Sequence, residues 1–173
     1  SDLQSIWSVL STMSTEYMAF YNCGRDGGCS RLHKHMQLIP TPKDTFASFL
    51  DFNGDDPEPQ VPFHWFYHRF DSQDVTVPHL VETYDKLLWQ ATEVGRGVPE
   101  DADSVPPGAA LPHNVIMTRL SMIVVPRRRA AINKDVAANA LGMLGYIAVA
   151  REHEIDEWIR AGLCASLREL GVA

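Results

Sequence analysis

Cysteine is scarce in this sequence, with three residues in a chain of 173. A disulfide framework needs paired cysteines at regular spacing, and an odd, scattered set does not supply one. Unpaired cysteines are typical of reducing compartments. We therefore expect an intracellular protein, located in the cytoplasm and with the nucleus as a second compartment.

Excess positive charge and long apolar runs are also missing. The net charge is −7, so repulsion of the phosphate backbone excludes a general surface for nucleic-acid polymers. The longest apolar stretch, residues 142–150, is far shorter than the roughly 20 residues that cross a membrane. The first residues show no basic region before an apolar run, so we expect neither a signal peptide nor a membrane partner.

The positive charge that is present is concentrated near one glycine-rich stretch. Residues 21–43 carry four basic residues against one acidic residue, namely Arg25, Arg31, Lys34 and Lys43 against Asp26. A basic patch in an acidic protein suits a small phosphorylated ligand better than a polymer.

The hydrophobic pattern predicts an α+β protein that forms a single domain over residues 1–173. Helical spacing predicts helices at residues 2–13, 79–91, 136–143 and 154–170. Short or alternating apolar runs predict strands at residues 17–21, 32–39, 62–70, 114–118, 122–125 and 145–149. The first two strands are expected to pair antiparallel across a glycine-rich turn, and the strands at 114–118 and 122–125 to form a hairpin. Loops are expected at residues 51–62 and 95–112, which are rich in proline or poor in large apolar residues.

The stretch GCSRLHKHMQ, residues 28–37, places two imidazoles and an amide at alternating positions after the glycines. On a strand, His33, His35 and Gln37 would share one face, about 6–7 Å apart. Taken alone, this row favours a packed or surface role. A metal site is a weaker alternative, because Gln is a poor ligand and no carboxylate or thiolate stands at ligand spacing. The glycines, however, let backbone amides face an anion, and a neutral imidazole beside bound phosphate is a suitable nucleophile.

Several other residues could have either a structural or a functional role. Cys23 and Cys29 are either incidental small residues of the loop or a metal or redox pair. The run at residues 127–129, three arginines, is either a solvated cluster or a clamp for substrate phosphate. The histidines at positions 64 and 68 favour structural or surface roles. The last predicted helix is expected to bury four apolar side chains, Ile155, Trp158, Ile159 and Leu163.

Two regions together carry a family resemblance. The pattern Asn22-x-Gly24 followed by Gly28-Cys29-Ser30-x-x-His33-x-His35-x-Gln37 resembles the signature of the histidine-triad superfamily. In the hydrolase branch of this superfamily, the third position of the motif is a third histidine. Gln37 in that position resembles the nucleotidyltransferase branch instead. The segments HNVIMTRLSMIVVPRRR, NALGMLGYIAVARE and LRELGVA resemble the C-terminal domain of the diadenosine tetraphosphate (Ap4A) phosphorylases, or ATP adenylyltransferases.

This resemblance implies a histidine-triad-like antiparallel sheet flanked by helices, without the N-terminal strands that longer relatives carry. It implies phosphorolysis of Ap4A to ATP and ADP through a nucleotidyl-histidine intermediate. The implied catalytic residues are His35 as nucleophile, His33, whose carbonyl would hold the His35 Nδ1–H, and Gln37 as a donor to phosphoryl oxygens. The implied substrate-binding residues are Asn22, Gly24, Gly28, Cys29 and Ser30.

The implied partners are a dinucleoside polyphosphate, ATP, ADP and inorganic phosphate. We expect no covalently bound cofactor and no metal held by the protein. The use of a divalent cation such as Mg²⁺ is left open. The choice between monomer and homodimer is left open as well. Two rival functions remain: a noncatalytic nucleotide-binding remnant of such an enzyme, and a hydrolase in which water replaces phosphate as acceptor.

Overall fold

The computed structural model describes residues 2–13, 17–31, 33, 35–42, 45–46, 57–71, 75–95 and 111–173. Its elements in chain order are α1 (Asp2–Leu10), β1 (Tyr17–Cys23), β2 (Gln37–Pro40), β3 (Phe66–Arg69), α2 (Val77–Gly95), β4 (His113–Met117), β5 (Ser121–Pro126), α3 (Ala140–Met143), α4 (Glu152–Ala161) and α5 (Leu163–Leu170). Most of the two predicted loops, residues 51–56 and 96–110, lies outside the described residues.

The strands form one five-stranded sheet in the order β2-β1-β4-β5-β3. Every pair of neighbours is antiparallel, which confirms the predicted α+β class. The predicted pairing across the glycine-rich turn is present, with Phe20 opposite Gln37 and Tyr17 opposite Pro40. The predicted hairpin is present as well, with Val115 opposite Val124.

Both faces of the sheet are covered, because alternate side chains of the central strands point to opposite sides. One side, which we call the helix face, packs against α1 and α2 through Ala19, Val115, Met117, Met122 and Val124. The other, which we call the C-terminal face, packs against the chain from Val136 to Leu170 through Met18, Phe20, Ile116, Ile123 and Val125. The buried residues of α2 recur at helical spacing, Leu80, Thr83, Leu87, Ala91 and Gly95. None of the helices in the described parts of the chain is long and apolar enough to span a membrane.

Of three predictions about the last forty residues, the strand is wrong and the two helices are correct only in part. No strand forms at residues 145–149, because Gly145 adopts φ +91° and Tyr146 N–H turns back to donate to Leu141 O. The helix predicted at 136–143 begins only at Ala140, since Asn139 caps it by accepting from Leu141 N and Gly142 N.

The helix predicted at 154–170 is divided at Gly162, which has φ +80°. The division changes which side chains reach the core. Trp158 is buried, whereas Ile155, Ile159 and Leu163 are 46%, 70% and 52% exposed, so three of the four residues expected to be buried lie at the surface.

The strand predicted at residues 32–39 begins only at Gln37. Beyond Phe20, β1 pairs with β4 alone among the described residues. His33 and His35 therefore lie in the irregular segment that leads into β2, not on the strand itself. The strand predicted at 62–70 is likewise shorter, spanning Phe66–Arg69.

Candidate functional site

The glycine loop, which we define as residues 24–29, leaves the end of β1 in a tight turn. Gly24 and Gly28 have φ +75° and +87°, a backbone region that residues with a side chain rarely adopt. The N–H groups of Gly27 and Cys29 both donate to Gly24 O at 3.2 Å, and Gly28 N–H donates to Arg25 O at 2.9 Å. The amides expected to face an anion are thus engaged inside the loop, and a phosphate would have to displace these bonds or use other donors.

A buried polar network anchors the loop to the C-terminal face. The amide nitrogen of Asn114, on β4, donates to Asn22 Oδ1 at 2.8 Å and to Gly27 O at 2.6 Å. Asn22 Oδ1 also accepts from Ala140 N at 2.9 Å, at the start of α3. Asn22 therefore joins β1 to α3 from a buried position.

Arg127 completes this network from the end of β5. Its Nη1 donates to Asn114 Oδ1 at 2.7 Å, and its other donors reach the carbonyl oxygens of Leu170, Arg129 and Ala138. Burial lowers the pKa of Arg127 to about 10, and Asp26 acts against that shift. A pKa of about 10 keeps the guanidinium charged at neutral pH, so the network contains a buried positive charge.

The two candidate histidines lie side by side after the loop. Their ring centroids are 5.6 Å apart. The Nδ1 atom of His35 is 3.4 Å from the carbonyl oxygen of His33, at the long end of hydrogen bonding. In the neutral imidazole, the tautomer that donates from Nδ1 in this contact has an Nε2 without a proton. His35 is half-buried and His33 is exposed.

The remaining candidates surround this segment at the surface. Ser30 and Gln37 are exposed, and Gln37 is the first residue of β2. Cys29 is half-buried, and its Sγ donates to Arg31 O at 3.3 Å. Cys23 and Cys29 are not joined by a disulfide bond.

Another histidine, His113, belongs to a buried chain on the helix face. Its Nδ1 is 2.7 Å from Leu111 O and its Nε2 is 3.0 Å from the hydroxyl of Tyr84. Since a carbonyl only accepts, Nδ1 carries the proton and Nε2 accepts from Tyr84. Burial lowers the pKa of His113 and is the main cause that raises the pKa of Tyr84 to about 12. This pair is a packing feature of β4 and α2.

One group of three side chains in the described chain has the ligand types and spacing of a metal site, namely Asp135, His153 and Glu154. Basic side chains already pair with the two carboxylates of this group. Arg151 donates to Glu154 at 3.1 Å, and Lys134 lies 3.1 Å from Asp135. Positive side chains at these distances oppose a divalent cation, so we interpret the group as an ion-pair cluster.

Sequence reasoning missed Asn114 and misjudged Arg127. The arginine run is neither a solvated cluster nor a clamp as a whole: Arg127 is buried, Arg128 is exposed, and Arg129 pairs with Glu169 at 3.0 Å. One available signal was a polar Asn between His113 and the apolar residues of HNVIM, a strand that is buried throughout. Buried amides need partners, which marks such a residue for a structural or functional network.

Family comparisons agree with this architecture. Residues 59–173 match the family described as ATP adenylyltransferase C-terminal domain, and residues 1–50 match the Ap4A phosphorylase N-terminal domain. With the antiparallel sheet and the glycine loop leading to paired histidines, these matches place the chain in the Ap4A phosphorylase/ATP adenylyltransferase family, whose fold is of the histidine-triad type.

Individual relatives come from yeast. The chain is 28% identical over 182 residues to diadenosine 5′,5‴-P1,P4-tetraphosphate phosphorylase 2 of Saccharomyces cerevisiae, covering 90% of this chain and 54% of that protein. The crystal structure of yeast Ap4A phosphorylase Apa2 is similar with a TM-score of 0.76 and 26% identity, over 98% of this chain and 61% of that one. Its complex with AMP gives a TM-score of 0.78 and 25% identity, over 98% and 62% of the two chains. The chain thus spans little more than half the length of the relatives it matches.

Proposed function

We propose that this chain is a nucleotidyltransferase that cleaves dinucleoside polyphosphates, Ap4A first among them, by phosphorolysis through a nucleotidyl-His35 intermediate. The observation that carries the proposal is the contact of 3.4 Å between His35 Nδ1 and His33 O, which directs the proton to Nδ1 and leaves Nε2 as the nucleophilic atom. Membership of the Ap4A phosphorylase family and the similarity to a yeast relative that binds AMP support the substrate class.

The reaction has two steps that balance. Nε2 of His35 attacks the α-phosphorus of Ap4A, the bond from that phosphorus to its bridging oxygen breaks, and ATP leaves. Inorganic phosphate then attacks the adenylylated imidazole, the P–N bond breaks, and ADP leaves with the free enzyme. Polyphosphate leaving groups are weakly basic, so the departing oxygen needs little protonation, which suits Gln37 in the third position of the motif.

The neighbouring residues have positioning and charge-stabilising roles in this proposal. The exposed amide of Gln37 donates to the phosphoryl oxygens, and the hydroxyl of Ser30 contacts the departing phosphate chain. Gly24 and Gly28 give the loop its left-handed turns, and Cys29 adds backbone close to the phosphates. A divalent cation, if the reaction uses one, arrives on the polyphosphate, because the proposed site residues offer imidazole, amide and hydroxyl groups and not a carboxylate cluster.

Product analysis separates this function from its rivals. The protein is incubated with Ap4A, with and without inorganic phosphate, and the nucleotides are resolved by chromatography. ATP and ADP formed only when phosphate is present support phosphorolysis. AMP and ATP formed without phosphate indicate a hydrolase, and binding without turnover indicates a noncatalytic nucleotide-binding protein.

A matched pair of variants tests the nucleophile. Incubation with Ap4A radiolabelled at its α-phosphates should leave label on the wild-type protein in the absence of phosphate, and His35→Ala should lose both label and turnover. His64→Ala removes an exposed imidazole outside the candidate site and should behave as wild type. Label that persists in His35→Ala would assign the nucleophile to another residue.

A further inference from the structure

The amide of Asn114 has only one orientation that satisfies its surroundings. Asn114 is 0% exposed, so each of its hydrogen-bonding groups needs a partner inside the protein. A guanidinium donates and never accepts, and Arg127 Nη1 lies 2.7 Å from Oδ1. The amide nitrogen must then point to the other side, where Gly27 O accepts it at 2.6 Å. Arg127 thus determines which way this amide faces.

The orientation is passed on to a second amide. The nitrogen of Asn114 also donates to Asn22 Oδ1, and that same oxygen accepts from Ala140 N. Two donors on one oxygen fix the Asn22 side chain, and with it the distance between the end of β1 and the start of α3. A series of donors and acceptors therefore runs from Arg127 through Asn114 to Asn22.

The guanidinium at the start of this series is itself immobilised. Nε donates to Leu170 O at 3.1 Å, and Nη2 donates to Arg129 O at 2.8 Å and to Ala138 O at 2.9 Å. All these partners are uncharged oxygens, so the positive charge is solvated by the protein without direct neutralisation. The carbonyl of Ala138 also packs against Gly28, 3.3 Å from where a side chain would begin. The charge and the loop are therefore held by the same backbone segment.

We propose that Asn114 and Arg127 are positioning residues for nucleotidyl transfer: Arg127 orients the Asn114 amide, which holds the glycine loop and Asn22 in the geometry that the phosphates of the substrate require. The buried charge adds a favourable potential for an anion at the loop. This inference rests on the proposed function for its catalytic consequence, while its structural part stands independently.

The most direct test is Asn114→Asp in the full chain. The carboxylate keeps the shape of the side chain and the contact with Arg127, but it places an oxygen where Gly27 O and Asn22 Oδ1 need a donor. We expect a protein that still unfolds cooperatively, with altered amide resonances for Gly28 and Ala140 in ¹⁵N–¹H NMR spectra. The rate of His35 adenylylation at saturating Ap4A should fall about 100-fold, as for a misplacement of about 1 Å, with a smaller change in KM.

Two further variants complete the design. Arg127→Lys retains a positive charge but not the planar fork, and it should reproduce the same loss in kcat with the same shifts in loop resonances. Arg128→Gln removes the exposed neighbouring charge and should leave rate and spectra as in wild type. If Asn114→Asp fails to fold, Asn114→Ser takes its place. The serine side chain is too short for its hydroxyl to reach both Gly27 O and Asn22 Oδ1.

The outcomes are distinguishable. Loop resonances and adenylylation rates that stay at wild-type values in Asn114→Asp, or in Asn114→Ser where that variant replaces it, would overturn the inference. If the wild-type protein has no turnover, the proposed function fails. In that case, shifted loop resonances together with weaker binding of AMP in the Asn114 variant would still support the positioning role. Unchanged loop resonances in that variant would refute the positioning role.

Discussion

The most exacting prediction concerns Gly27, where the glycine loop lies directly on the sheet. A Cβ added at this residue would stand 2.1 Å from Cys23 O and 2.9 Å from His113 O, closer than the 3.0 Å that real Cβ atoms respect. Both obstacles are backbone atoms of hydrogen-bonded strands, so neither can rotate away. In Gly27→Ala the loop must therefore move outward by about 1 Å, which also lengthens the bond from Asn114 to Gly27 O.

This displacement sets the expected magnitudes. Overpacking of this kind costs about 1–3 kcal/mol of unfolding free energy. For a chain of this size that corresponds to a fall in Tm of roughly 2–4 °C per kcal/mol. A shift of about 1 Å in a group that positions the substrate costs about 100-fold in rate. Gly27→Ala should thus remain folded but lose about 100-fold in turnover. Calorimetry measures the first result and the Ap4A phosphorolysis assay the second.

Gly145→Ala is the matched control. Gly145 has φ +91°, so alanine is strained there, but no heavy atom lies within 4 Å of the added Cβ. This variant should lose about 1–2 kcal/mol of stability through backbone strain and keep its turnover. If Gly27→Ala retains wild-type turnover, or if both variants lose activity in proportion to their stability, the steric reasoning is refuted.

The remaining predictions concern stability. The folded protein keeps His113 neutral with a lowered pKa, while the unfolded chain protonates it below about pH 6.5. The stability that this group contributes is therefore present above that pH and is lost as the pH falls, by at most about 1.4 kcal/mol per pH unit. In His113→Gln, the Tm should therefore fall less steeply on acidification. Tyr84→Phe removes the donor to Nε2 and should cost about 1–3 kcal/mol in urea unfolding, and no loss would refute the assigned bond. Trp158→Ala should cost about 3–5 kcal/mol, whereas Ile159→Ala on the same helix should cost under about 0.5, and equal costs would contradict the assignment of buried and exposed faces.

The strand pairing could be predicted from sequence because its signals are local. Glycines between two apolar runs predict a reversal of the chain, and alternation predicts which side chains share a face. The antiparallel pairing of β1 with β2 and the β4–β5 hairpin follow from such signals. The errors at residues 145–149 and at Gly162 have the opposite origin, because single glycines with positive φ redirect segments whose composition alone favours a strand or a helix.

The polar network could not be predicted, because its partners are distant in sequence. Asn114 meets Asn22 across 92 residues, and Ala140 meets Asn22 across 118. Nothing in the local pattern of an arginine run says which member will be buried. The histidine motif, in contrast, is contiguous, so sequence was enough to nominate His35. Its Nδ1 lies 3.4 Å from His33 O, and its role as nucleophile stays a prediction.

The bond between Asn22 and Ala140 has a consequence for the order in which the protein is made. The loop that leaves β1 is synthesised before its anchors, because Asn114 follows Gly27 by 87 residues and Ala140 follows Asn22 by 118. The carbonyl of Leu170, which accepts from Arg127, follows that residue by a further 43 positions. A nascent chain that ends before Ala140 therefore has the glycine loop without the complete polar network that anchors it.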